Sequence, residues 1–176
     1  MTRDRDPAGR PRNARPRDGL GRPLDRADDP GSGADRIPDD LVITGAEAAA
    51  LADRLLRDGR PFHAHEVLEA AWKSGPAGER DLWQGLAQIA VGLTHARRGN
   101  ARGAVALLTR GAERVRGYQG GAGSQRAVGR PASPFGMNVA VFLAAADDLA
   151  ARIERDGLDA IPLADLSPGL LAELSG

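Results

Sequence analysis

The 176-residue chain has no cysteine, one lysine (Lys73) and no net charge, with 24 Lys+Arg balanced by 24 Asp+Glu. Without cysteine there is no disulfide framework, no thiolate nucleophile, no Cys-ligated zinc and no iron–sulfur cluster, so any metal has to be held by His, Asp or Glu. Zero net charge removes a global field that would gather polyanions, and a nucleic-acid role would then need a dominant local basic patch. Long hydrophobic runs are missing too. No stretch approaches the roughly 20 apolar residues needed to cross a bilayer, and the Arg/Asp-rich start lacks the apolar core of a signal peptide. A cytoplasmic protein with no membrane partner is expected.

Glycine and proline are abundant, at 23 and 12 residues, and their distribution divides the chain. Residues 1–40 are set apart: up to about Arg36 they alternate Arg and Asp among prolines, with Leu20 and Leu24 as large apolar side chains besides Met1. Such a segment buries too little surface to offset its ordering entropy and is predicted to be a disordered arm. Residues 41–176 form the single predicted domain. A capping box, Thr44-Gly45-Ala46-Glu47, opens a helix whose apolar positions Ala48, Leu51, Ala52, Leu55 and Leu56 repeat with helical period up to Gly59. Pro61 suits the first turn of a second helix, which ends near Ser74-Gly75-Pro76.

A third helix is predicted from about Glu79 to Arg98. Its 15 residues from Leu82 to Ala96 include no formal charge at neutral His, which suits a helix buried in the middle of a bundle. Gly99-Asn100 supplies a stop and a new N-cap, and a fourth helix runs to about Arg116. Residues 117–134 hold too many glycines and prolines for a regular element and are predicted to be a loop, a candidate lid. A fifth helix covers about Phe135 to Asp156, and Ser167-Pro168 opens a last short one. No strand alternation is present, so the fold class is all-α: a compact bundle of five to six helices.

Chemistry concentrates in Phe62-His63-Ala64-His65-Glu66-Val67-Leu68-Glu69-Ala70-Ala71-Trp72. At roughly 100° per residue, Phe62, Glu69, Trp72 and Leu68 all fall within about 60° of His65, which defines an apolar stripe containing His65, Glu69 and Trp72. A His and a carboxylate one turn apart on a buried face need each other, another polar side chain or a metal ion. On the third helix, Gln84, Gln88, Val91 and His95 form a second stripe. The reading that follows is that this stripe faces His65 and Glu69 across the short turn, with Trp72 in the core.

These residues carry a resemblance. His65-x-x-x-Glu69-x-x-Trp72, preceded by Phe62 and followed by a helix ending His95-Ala96-Arg97-Arg98-Gly99-Asn100, resembles the bacterial and archaeal family called domain of unknown function 309, over about Leu51 to Val115. The resemblance implies a small all-α fold, an expectation of metal binding at the His/Glu/Trp motif, and no established reaction. The His-Glu-x-x-His pattern of zinc proteases is not met, because Glu69 stands where the second histidine would be.

Two functional readings result. In one, His65, Glu69 and His95 hold a divalent metal (Zn, Mn or Fe) that activates water for hydrolysis, with Phe62, Glu66, Trp72, Gln84 and Gln88 around it. In the other, the same cluster is a structural hydrogen-bond network in a non-catalytic bundle that acts by protein–protein interaction, homo-oligomerisation included. Nucleic-acid binding through the N-terminal arm and Arg97, Arg98, Arg102, Arg110, Arg114 and Arg116 ranks third, since Arg is the default surface cation of this chain.

Overall fold

The computed structural model describes residues 18, 20–22, 37–38, 40–120 and 134–171. Most of the predicted arm and most of the predicted lid therefore lie outside the described residues. Five α-helices follow in order: α1 (Gly45–Arg57), α2 (Pro61–Ser74), α3 (Arg80–Arg97), α4 (Ala101–Gly120) and α5 (Val139–Asp156). The all-α class stands, and the described residues contain no β-strand beyond a single bridge between Met137 and Leu171.

Each boundary has a local cause. Thr44 Oγ1 accepts the Glu47 amide while Glu47 Oε2 accepts the Thr44 amide at 3.0 Å, so the capping box closes as its sequence requires. Gly59, at φ +70°, turns the chain after α1, and Pro61 starts α2 where a missing N–H costs nothing. Gly99, at φ +80°, ends α3. The Asn100 side chain then accepts the Gly103 amide at 2.9 Å and opens α4.

Helix α3 is central, packing on α2 and on α4, while α1 lies on α2 and α5 on α4. Its seam with α4 depends on glycine. A Cβ at Gly85 would stand 2.5 Å from Val115 Cγ2 and 2.8 Å from the Gly111 carbonyl, and one at Gly92 would stand 3.0 Å from the Leu108 amide nitrogen. The two backbones approach more closely than any side chain allows. Leu82, Trp83, Leu86, Ile89 and Leu93 of α3 are buried in the core this seam helps close.

Three sequence expectations shift. Helix α4 continues four residues past Arg116, because burial of Val115 and packing of Tyr118 against the core outweigh a helical Gly117. Helix α5 starts at Val139 rather than Phe135, since Phe135 and Gly136 both have positive φ and Asn138 supplies the cap. No helix opens at Ser167. Instead two 3-10 turns, Leu158–Ala160 and Leu163–Leu166, lead into an irregular segment. There the Leu170 and Leu171 amides donate to Asp53 Oδ1 of α1 at 2.6 and 2.8 Å, which removes the amides a helix would need.

Candidate functional site

The inner face of α2 is made by Pro61, His63, Ala64, Val67, Leu68, Ala70 and Ala71, all buried. Its centre lies about 120° round the helix from His65, so the motif residues Phe62, His65, Glu66, Glu69 and Trp72 lie on the outward flank, each half-buried. This corrects the predicted orientation. The large rings of Phe62 and Trp72 drew the apolar stripe, but small alanines are what let α2 sit tightly between α1 and α3. Trp72 packs at the edge of the core rather than within it. His63, outside the stripe drawn through His65, is 5% exposed.

Along that flank runs a ladder of charge. His65 Nε2 is 3.5 Å from Glu69 Oε2, and Glu69 Oε1 is 2.9 Å from Lys73 Nζ, each step one helical turn. Burial lowers the His65 pKa below its ordinary value, against the opposing pull of the Glu69 carboxylate and the Phe62 carbonyl, with Lys73 lowering it further. The neutral imidazole is therefore the favoured form at pH 7. The Phe62 ring leans on the imidazole with centroids 5.9 Å apart.

The second stripe, on α3, is half-buried as its period implies, yet its partners come from α4. Gln84 Oε1 accepts from Arg114, and Asn100, the α4 cap, holds His95 Nδ1 at 2.7 Å. His95 thus braces the α3–α4 turn. With Nδ1 accepting from the Asn100 amide, its proton sits on Nε2. Gln88 Oε1 is buried and unpartnered, a polar atom at odds with its surroundings.

A further element reaches the motif from the arm. Asp18 folds a turn on itself, its Oδ1 accepting the Leu20 and Arg22 amides at 2.9 and 2.7 Å. Gly21, at φ +73°, packs against the Phe62 ring, where a Cβ would stand 2.3 Å from Cδ2. Arg98, at the end of α3, donates to the Leu20 carbonyl. The sequence reading placed these residues in a disordered arm, and the signal it passed over was the Asp-Gly-Leu-Gly run, which is turn chemistry.

The metal expectation can be tested against the donors present. Among the described residues no group of three or more His, Asp or Glu side chains is placed to hold a metal ion. His65 and Glu69 meet, but His95 is engaged by Asn100 and Glu69 by Lys73. Among the described residues the three expected ligands are not gathered into one cluster in this arrangement. Sequence reasoning also missed Trp83, the buried tryptophan, which donates from Nε1 to Glu79 Oε2 at 3.0 Å and stacks near Phe135 at 5.2 Å. The Glu79–Trp83 spacing of one helical turn was its available signal.

Comparison with known proteins agrees with the motif. Residues 50–107 match the family model of the domain of unknown function DUF309. The uncharacterized protein YpuF of Bacillus subtilis (strain 168) is 46% identical over 48 residues, which span 27% of this chain and 28% of that protein. The chain thus covers little more than a quarter of that relative's length. No solved structure matches. No helix among the described residues is long and apolar enough to cross a membrane.

Proposed function

We propose, for a chain whose residues 50–107 match the DUF309 family model, that it is a non-catalytic helical module whose motif face on α2 binds a turn-forming peptide segment, with Asp18 and residues 20–22 as its own occupant. One observation carries the reading: Gly21 seats its backbone on the Phe62 ring while Arg98 takes the Leu20 carbonyl. Both contacts are made to backbone, so they select a glycine turn more than a side-chain sequence. Phe62 and Arg98 belong to the family segment, and the bound turn lies outside it. His65, Glu69 and Lys73 continue along the same flank and would offer a neutral imidazole, a carboxylate and an ammonium to whatever extends beyond the turn.

The test uses the full chain carrying Gly21→Val, which places a side chain where the Phe62 ring now sits. A synthetic peptide of residues 14–26 is expected to bind this variant saturably and to shift the amide resonances of Phe62, His65 and Arg98, and to bind the unmodified chain more weakly because its own turn competes. No binding to either form refutes the reading. Metal-dependent hydrolysis at the same motif remains the alternative reading, and elemental analysis of protein purified without chelator distinguishes it. One equivalent of Zn, Mn or Fe in the wild type, lost in His65→Ala/Glu69→Ala, would replace the peptide-binding reading with that one.

A further inference from the structure

Around Arg97, the last residue of α3, lies an open cleft of about 590 Å³, lined by Arg57, Asp58, Gly59, Arg97, Leu163, Ala164 and Ser167. Its charge balance is unusual. Arg57 has a carboxylate partner, Asp53, at 3.0 Å. Arg97 forms no ion pair among the described residues, and its hydrogen bond is to a neutral hydroxyl, Nη2 to Ser167 Oγ at 2.6 Å. Its Nε is buried without any partner. The guanidinium lies over Gly59, where a Cβ would stand 2.7 Å from Nη2, so glycine at that position lets the cation settle against backbone.

A guanidinium carries five N–H donors in a planar fork suited to oxyanions, and a buried donor without an acceptor is expensive. Partial desolvation also works against the charged form of Arg97. An anion in the cleft would offset the second cost by placing an opposite charge beside the guanidinium, whose Nη groups lie at Gly59 and Ser167. Beside the cation, Leu163 is 64% exposed on the rim and offers an apolar contact, while Asp58 offers an acceptor.

We infer that the Arg57/Arg97/Ser167 cleft binds the oxyanion head of a small molecule, with Arg97 as the principal anion contact, Ser167 Oγ as a second donor and Leu163 beneath the apolar body. The shared chemistry is a phosphate monoester or a carboxylate. This site is independent of the α2 motif face, and failure of either reading leaves the other intact.

The experiment is a titration of the full chain with inorganic phosphate, and separately with acetate, at fixed pH and ionic strength, followed by ¹H–¹⁵N correlation spectra that include the arginine Nε–H resonances. Saturable shifts at Gly59, Ser167 and Arg97 Nε–H are expected. Phosphate acting more strongly than acetate assigns the head group to a phosphate ester, and the reverse assigns it to a carboxylate. Arg97→Gln is expected to weaken the interaction by about tenfold or more, and Arg97→Lys, which keeps charge but loses the fork, by less. Should the Gln variant fold poorly, the wild-type titration and the Lys variant still decide. Absence of saturable shifts at these residues with both anions, or unchanged affinity in Arg97→Lys and Arg97→Gln alike, overturns the inference.

Discussion

Whether His95 is a free imidazole or a brace for the α3–α4 turn can be decided by a double-mutant cycle with Asn100. The Asn100 side chain makes two bonds, accepting the Gly103 amide at 2.9 Å and holding His95 Nδ1 at 2.7 Å. Loss of an N-cap costs about 1 kcal/mol, and loss of one neutral hydrogen bond about 0.5–1.5 kcal/mol. Asn100→Ala is therefore expected to cost about 1.5–2.5 kcal/mol, while Asn100→Ser, which keeps a cap acceptor but cannot reach the imidazole, costs about 0.5–1.5 kcal/mol. His95→Ala should cost about the same in the wild type and close to nothing in the Asn100→Ser background. Urea unfolding followed by circular dichroism at 222 nm, with equal m-values across the four proteins, gives the coupling directly. Additive effects within about 0.3 kcal/mol would refute the brace and return His95 to the pool of candidate ligands.

The Asp53 carboxylate, which accepts two backbone amides and Arg57, should be the most sensitive polar position: Asp53→Ala is expected to cost about 3–5 kcal/mol, and Asp53→Asn clearly less because one acceptor survives. Equal losses in the two variants, by urea unfolding, would contradict that account. Trp83→Ala should cost about 3–5 kcal/mol and Trp72→Ala less than half of that, in keeping with burial of the first and the core-edge position of the second. A reversed order in thermal unfolding would count against the described packing. Because His65 has a lowered pKa when folded, the unfolded chain binds more protons below about pH 6.5, so the wild type should lose stability on acidification through and below that value. Relative to His65→Gln, the loss should widen between pH 7.5 and 5.5, and parallel stability profiles would show that the imidazole is not desolvated.

What the sequence made legible was set by period and punctuation. Thr44/Glu47, Pro61 and Gly99-Asn100 are local devices, and each closed where it was written, because a cap or a positive φ involves a few neighbouring residues. The rotation of α2 was not legible for a tertiary reason. Ala64, Ala70 and Ala71 contribute little to a hydrophobic count, yet small side chains are what a closely packed three-helix layer admits, and they turned the motif outward. The same reason separates Gln84 and His95 from His65. Glycines at 85, 92 and 111 draw α4 against α3, so α4 supplies the polar partners first. The C-terminal segment could not be read at all from its own residues, since its conformation is dictated by Asp53, over a hundred positions earlier.

That rotation also separates two jobs within α2. The residues that carry the family resemblance, Phe62, His65, Glu69 and Trp72, occupy the flank, whereas those that hold the helix in the fold, Ala64, Val67, Leu68 and Ala71, face inward. If the motif were architectural, damage to it should register chiefly as lost stability. The exposed ladder argues otherwise: pairs one turn apart at a half-exposed surface contribute about 0.2–0.5 kcal/mol each, so Glu69→Ala should cost less than about 1 kcal/mol. Ala64→Leu, which forces three methyl-sized carbons into a fully buried site, should cost at least about 1–3 kcal/mol. A Glu69→Ala loss as large as that of Ala64→Leu would show that the flank supports the fold. With the expected order, a motif that contributes so little to stability is available for binding, and the glycine turn on Phe62 is the contact from which that binding is to be traced.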